Sequence, residues 1–232
     1  MEISGFVKLS TIDFPGILSA VIFTQGCNLD CIFCHNRHLI PIEKGKIMEE
    51  EVLSYLFRAR DMIDGVVITG GEPLLQSDIE NFAEKIKEIG LKVKIDTNGF
   101  FPEKLESLLS KSLVDFVALD VKAPLIPEDY SYIAGKIITE GDLEKLRKTI
   151  ELVSGSVKHE FRTTVLESFH TPEKILAIAK ELPASSTYVL QQFISREGIP
   201  VSEHTTRREY LEFLVHKISG VRSGKTVLRV YE

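Results

Sequence analysis

The sequence predicts an α/β protein: a partial (β/α)6 barrel of parallel strands, with its site at the C-terminal strand ends. Three observations carry this. Six short apolar, β-branched runs alternate with amphipathic stretches along the chain. The runs are apolar almost without interruption, as strands buried on both faces are. Polar residues cluster just after them, where parallel α/β folds form their ligand sites. Six repeats in 232 residues suit an incomplete barrel rather than an eight-unit one. A doubly wound open sheet satisfies the same periodicity.

The runs fall at residues 18–24, 65–69, 91–96, 115–120, 157–163 and 187–192. Between and after them, residues 48–60, 77–89, 102–109, 140–153, 172–182 and 205–218 read as helices. Ile79, Phe82, Ala83, Ile86 and Ile89 repeat at helical spacing. Ile175, Ile178, Ala179 and Leu182 share one face behind a Thr171-Pro172-Glu173 start signal. Residues 2–10 add a hairpin strand in front, and residues 226–231 a late strand. No Ser/Gly-rich linker or charge block interrupts the chain, so residues 1–232 read as a single domain.

Composition narrows the function classes. With 44% hydrophobic and 27% charged residues the chain is globular rather than disordered. A formal net charge of −6 weighs against a nucleic-acid surface, which needs a basic patch. No apolar run reaches the roughly 18 residues of a membrane span. Lys8, Asp13 and Pro15 interrupt the segment where a signal peptide needs its apolar stretch. The expected location is the cytoplasm.

The chain has 3 cysteines, Cys27, Cys31 and Cys34, spaced C-x3-C-x2-C. An odd, tight set in a cytosolic chain is a metal or cluster site rather than a disulfide framework. A closed zinc site needs four ligands, with His35 or His38 as the fourth. Cys31-Ile32-Phe33-Cys34-His35 also fits the covalent haem signature, but leaves Cys27 unexplained. A cubane iron–sulfur cluster takes four cysteines, so three would leave one iron open for chemistry. Further polar groups follow the other strands: Gly70-Gly71-Glu72-Pro73, Asp96-Thr97-Asn98-Gly99, Asp120-Val121-Lys122 and Arg162. Each has a plainer reading, as a tight turn, a helix cap or an exposed ion pair. His159, His170, His204 and His216 stand alone and read as surface or loop histidines.

Together, Cys27-x3-Cys31-x2-Cys34 with Phe33 before the last cysteine, and the glycine pair after the second strand, resemble the radical S-adenosylmethionine superfamily. Ser10-Thr11-Ile12-Asp13-Phe14-Pro15-Gly16, Gly26 through Asn36, Asp96-Thr97-Asn98-Gly99 and Asp120-Val121-Lys122 resemble the glycyl-radical-enzyme activating enzymes. Among these, the compact anaerobic ribonucleoside-triphosphate reductase activating proteins are the most similar. The resemblance covers residues 1 to about 165. The chain departs from it at Phe14 and Leu18, and at Gln191-Gln192-Phe193, where some relatives carry a histidine.

The resemblance implies that Cys27, Cys31 and Cys34 hold a 4Fe–4S cluster whose open iron binds S-adenosylmethionine. Phe33 and His35 would lie along the adenine, with Gly70, Gly71 and Glu72 at the methionine end and Lys122 on a cofactor oxygen. Asp96, Thr97 and Asp120 match a monovalent-cation site of a related activating enzyme. The implied partners are a glycyl-radical enzyme, in the first place anaerobic ribonucleotide reductase, and a flavodoxin- or ferredoxin-type electron donor. A radical enzyme acting on a small molecule is the alternative, and a structural zinc or electron-transfer module the non-catalytic one.

Overall fold

The computed structural model describes residues 1–231. Eight strands form one sheet in chain order: β1 (Ile3–Ser10), β2 (Ser19–Thr24), β3 (Gly65–Gly70), β4 (Lys92–Thr97), β5 (Phe116–Asp120), β6 (Lys158–Val165), β7 (Tyr188–Gln192) and β8 (Thr226–Arg229). Strands β2 to β8 are parallel; β1 runs antiparallel to β2. The six expected parallel strands lie within about two residues of their expected limits, and both flanking strands are present. A doubly wound sheet would reverse its strand order at a switch point. Here the order never reverses, so the sheet winds one way, as in a barrel. Among the described residues β1 pairs only with β2 and β8 only with β7, which leaves the barrel open along a seam.

Helices α1 (Glu49–Ala59), α2 (Ile79–Glu88), α3 (Pro102–Ser110), α4 (Pro127–Ala134), α5 (Glu140–Ser156), α6 (Pro172–Glu181) and α7 (Arg208–Ser219) connect the strands. In α2, Ile79, Phe82, Ala83 and Ile86 are fully buried, each large one worth about 1.5–3 kcal/mol of transfer free energy. Thr139 and Asp142 form a reciprocal capping box on α5, and the Thr171 side chain caps α6. Helix α4 is an addition to the expected set. It is 8 residues long, begins at Pro127 and ends on Gly135 at φ 61°. Among the described residues no helix is long and apolar enough to cross a membrane.

The interior of the barrel changes character along its length. At the N-terminal end Phe14, Val21 and Val67 pack with Ile17, Phe23 and Phe116 into an apolar plug. Toward the C-terminal ends the inward positions turn ionic: Lys94 and Asp96 on β4, Asp120 on β5, Glu160 and Arg162 on β6.

Candidate active site

A cavity of about 200 Å³ opens at the C-terminal strand ends. Its walls include Cys27, Cys31, Phe33 and Cys34 from the loop after β2, and Gly70, Gly71 and Glu72 from the turn after β3. Asp96 and Thr97 end β4 and Asn98 follows it, Asp120 ends β5 and Lys122 follows it, and Arg162 comes from β6. Parallel topology explains the convergence, because every strand delivers its last residues to the same rim.

The cysteine loop is held by main-chain bonds. The Gly26 and Cys27 N–H groups donate to the Leu39 and Ile40 carbonyls at 2.8 and 3.0 Å. The Asp30 and Ile32 N–H groups donate to Ala134 and Ile133, at the end of α4, at 3.0 and 3.1 Å. The glycine turn joins in: Gly71 N–H donates to Thr24 O at 3.0 Å, and Glu72 N–H to Gly26 O at 2.9 Å. A Cβ on Gly71 would sit 2.1 Å from Gly26 O, and one on Gly70 2.3 Å from Thr24 N. Gly70 also has φ of 118°, a conformation that glycine adopts at little cost. The glycine pair is thus required by the close approach of β2 and its loop.

Glu72 ties the two turns together. Its carboxylate accepts from Leu74 N–H at 3.0 Å, the Thr97 hydroxyl at 2.8 Å and Asn98 N–H at 2.8 Å. The Asn98 side chain donates to Asn28 Oδ1 at 2.7 Å, reaching the cysteine loop. Burial outweighs these bonds and pushes the Glu72 carboxyl up to about 7.

The facing wall is ionic. The Arg162 guanidinium donates to Asp120 at 2.7 Å and to Asp96 at 3.1 Å. Lys94, only 1% exposed, pairs with Asp96 at 2.6 Å, and Lys122 pairs with Asp120 at 3.1 Å. Asp120 and Arg162 are register partners across β5 and β6. Asp96 pairs in register with Ala118, whose methyl group leaves space for Arg162 to reach over. Burial alone would raise the two carboxyls; Arg162, with Lys94 or Lys122, overcomes this and holds both below the usual carboxylate range. Lys122 and Arg162 are conversely held charged by their acids against the effect of burial.

Lys122 is also gripped through its backbone. Its N–H donates to the Tyr130 hydroxyl at 3.3 Å, and its carbonyl contacts His170 Nε2 at 3.0 Å. Leu166 N–H donates to His170 Nδ1 at 2.9 Å, which makes Nε2 the protonated nitrogen. His170 is 0% exposed, and burial pushes it down to about 4. It is therefore a neutral histidine buried within the loop between β6 and α6, a loop residue as expected but not a surface one. Sequence reasoning missed Lys94 as part of the site, and gave Asn98 no role in joining Glu72 to the cysteine loop.

Two other expected groups are placed as follows. His35 is absent from the cavity wall; its ring stacks on Phe193 at 5.7 Å, and Nε2 contacts Ile194 O at 2.8 Å. The expected cation oxygens of Asp96, Thr97 and Asp120 do not form an open cage. Arg162, Lys94 and Lys122 engage the two carboxylates, and the Thr97 hydroxyl serves Glu72.

The cysteines do suit a metal–sulfur group. Burial raises the Cys27 thiol to about 12 and the Cys31 thiol to about 11, so both are protonated at neutral pH until a metal displaces the proton. Three soft donors on one loop, with Cys31 buried and Cys27 and Cys34 half-buried, match iron–sulfur ligation. Among the described residues no three His, Cys, Asp or Glu side chains are arranged to hold a single metal ion.

Comparison with known proteins agrees with this geometry. The sequence matches the Radical SAM superfamily over residues 21–182. It is 40% identical over 202 residues to a Methanocaldococcus jannaschii protein assigned as a glycyl-radical enzyme activating enzyme, covering 84% of this chain and 81% of the relative. A pyruvate formate-lyase-activating enzyme of Clostridium pasteurianum is 31% identical over 189 residues, 78% of this chain and 77% of the relative. The crystal structure of Streptococcus suis SuiB bound to S-adenosylmethionine superposes with a TM-score of 0.71 and 18% identity. That likeness, one of fold, covers 91% of this chain and 50% of SuiB. Superfamily membership implies a 4Fe–4S cluster and S-adenosylmethionine as cofactors. The chain is an enzyme of the radical S-adenosylmethionine superfamily and belongs to its glycyl-radical enzyme activating enzymes.

Proposed function

We propose that this chain, working in the cytoplasm, installs a radical on a glycine of a partner enzyme, and that the partner is an anaerobic ribonucleotide reductase. The observation that supports it best is the single cavity walled by three thiols, a glycine turn and a bank of paired charges. Cys27, Cys31 and Cys34 would hold the 4Fe–4S cluster. When bound, the cluster and S-adenosylmethionine supply a one-electron cleavage of the sulfonium's bond to C5′, giving methionine and the 5′-deoxyadenosyl radical that takes the glycine hydrogen atom.

The protein's own residues supply position and charge. The main-chain bonds of the cysteine loop hold in place the backbone that carries the three thiols. Lys122, locked by Tyr130 and His170, presents an ammonium group at the cavity wall, with Phe33 5.8 Å away. This suits it to an anionic carboxylate. The paired charges of Asp96, Asp120 and Arg162 orient polar groups without reorganising, because each already has its counter-ion. A second cavity of about 460 Å³ shares Asp96 and Arg162 with the first and is lined also by Asp13, Gln191, Arg229 and Tyr231. It gives a polypeptide a way in from the side of the β8 tail.

The test is anaerobic reconstitution of the full chain with iron and sulfide. The expected result is about four irons per chain, a spectrum that changes on adding S-adenosylmethionine, and a doublet glycyl-radical signal on the reductase. Changing any of the three cysteines to alanine should abolish all three readouts. Cofactor cleavage with no radical on the partner would turn the reading to a small-molecule substrate. Iron content unaffected by the cysteine changes would remove it.

A further inference from the structure

The reaction proposed above consumes one electron per turnover, and the inference here rests on that reading. The chain's 3 cysteines all lie in one loop, so no second thiolate set exists for an iron–sulfur relay. The electron must reach the cysteine loop from another molecule.

The outer shoulder of that loop differs from the rest of the surface. Ile42 is 79% and Ile137 83% exposed, the highest values for large apolar side chains among the described residues. Both belong to segments that pack on the cysteine loop. The Ile42 main chain packs on Gly26, next to Cys27. Beside Ile137, the Lys136 ammonium group donates to Asn28 O at 3.1 Å. Lys44, Lys46 and Lys136 are all exposed. The nearby acids are largely spoken for: Arg37 pairs with Asp30 at 2.6 Å, and Glu2 accepts the Gly45 N–H. Against a chain of net charge −6, this shoulder presents three lysines with Glu43 as the remaining acid of the segment.

We propose that this shoulder is the docking site of an acidic protein carrying a low-potential one-electron centre. Two exposed isoleucines supply an apolar centre of contact, and the lysines around them steer an acidic partner. Contact here brings the donor against the main chain of the cysteine loop, beside Gly26 and Asn28, and leaves the cavity free.

The test uses the cluster-reconstituted full chain with flavodoxin hydroquinone as donor, reading flavodoxin reoxidation and 5′-deoxyadenosine formation. Lys44→Glu with Lys46→Glu should lower the second-order rate at least about tenfold at low salt and flatten its fall with ionic strength. Lys136→Glu added to these should lower it further. Reversing Lys180 and Lys217 on the outer helices should leave it unchanged. Reduction by dithionite, which needs no docking, should be equal in all variants. A donor-driven rate and salt slope matching the wild type in the Lys44 and Lys46 variant overturns the docking site. Wild-type chain that cleaves no cofactor even with dithionite overturns the radical reading itself, and the docking site with it.

Discussion

On the cysteine side of the cavity the chain is held by backbone hydrogen bonds and close main-chain contacts; on the facing side, across β4 to β6, it is held by side-chain charges. The first wall has almost no freedom, since Gly71 and Gly26 touch through main-chain atoms that cannot rotate away. The second tolerates exchange of individual groups provided the charges still balance. The contrast separates two ways of making a site rigid: steric exclusion on one side and paired electrostatics on the other.

The largest expected effect breaks the first wall. Gly71→Ala forces a Cβ to within 2.1 Å of Gly26 O. We expect a loss above about 4 kcal/mol in urea unfolding, beyond ordinary overpacking, together with failure to load iron. The second wall should respond asymmetrically. Asp96→Asn leaves Lys94 buried without an acid and Arg162 with one fewer, at a cost of about 3–5 kcal/mol. Lys94→Met leaves Asp96 still paired with Arg162 and should cost under about 1 kcal/mol. Equal losses in these two variants would show that packing, and not charge, holds this wall.

A pH titration sharpens the comparison further. The unfolded chain protonates His170 below its ordinary 6.5, whereas the native state resists protonation until about 4. Its contribution to stability is therefore complete above pH 6.5 and drains away as pH falls toward 4. The total is about 3 kcal/mol. His170→Gln should remove that slope from the unfolding curve and keep a donor for Lys122 O. An unchanged slope would mean that another group causes it.

The two walls were not equally legible. Strands were readable because continuous apolar runs end in polar clusters, and the thiols and glycine pair because their spacing is rigid. The reason for the glycines was hidden, since Gly26 and Gly71 are far apart in sequence and meet only once β2 and β3 align. The ionic wall was half visible: Asp96, Asp120, Lys122 and Arg162 stand at or near the polar C-terminal ends of the apolar runs. Lys94 lies inside a strand, and only its alternation with Val93 and Ile95 signals an inward-facing charge. Helix α4 escaped because its core contacts, Tyr130, Ile133 and Ala134, span little more than one turn. His170 escaped because nothing nearby in sequence shows that Leu166 N–H and Lys122 O bracket its ring. His35 matched a motif, yet its ring turns to Phe193, a partner on a distant strand end.

Helix α4 has a consequence for how such a chain can diversify. It follows the segment after β5 that carries Lys122, its Tyr130 braces that residue, and its last carbonyls and Gly135 support Asp30 and Ile32. Insertions of even one residue between Pro127 and Gly135 would shift the shelf beneath the thiols relative to the lysine. Lineages seeking new partners would have to vary loops elsewhere and inherit this short segment at constant length.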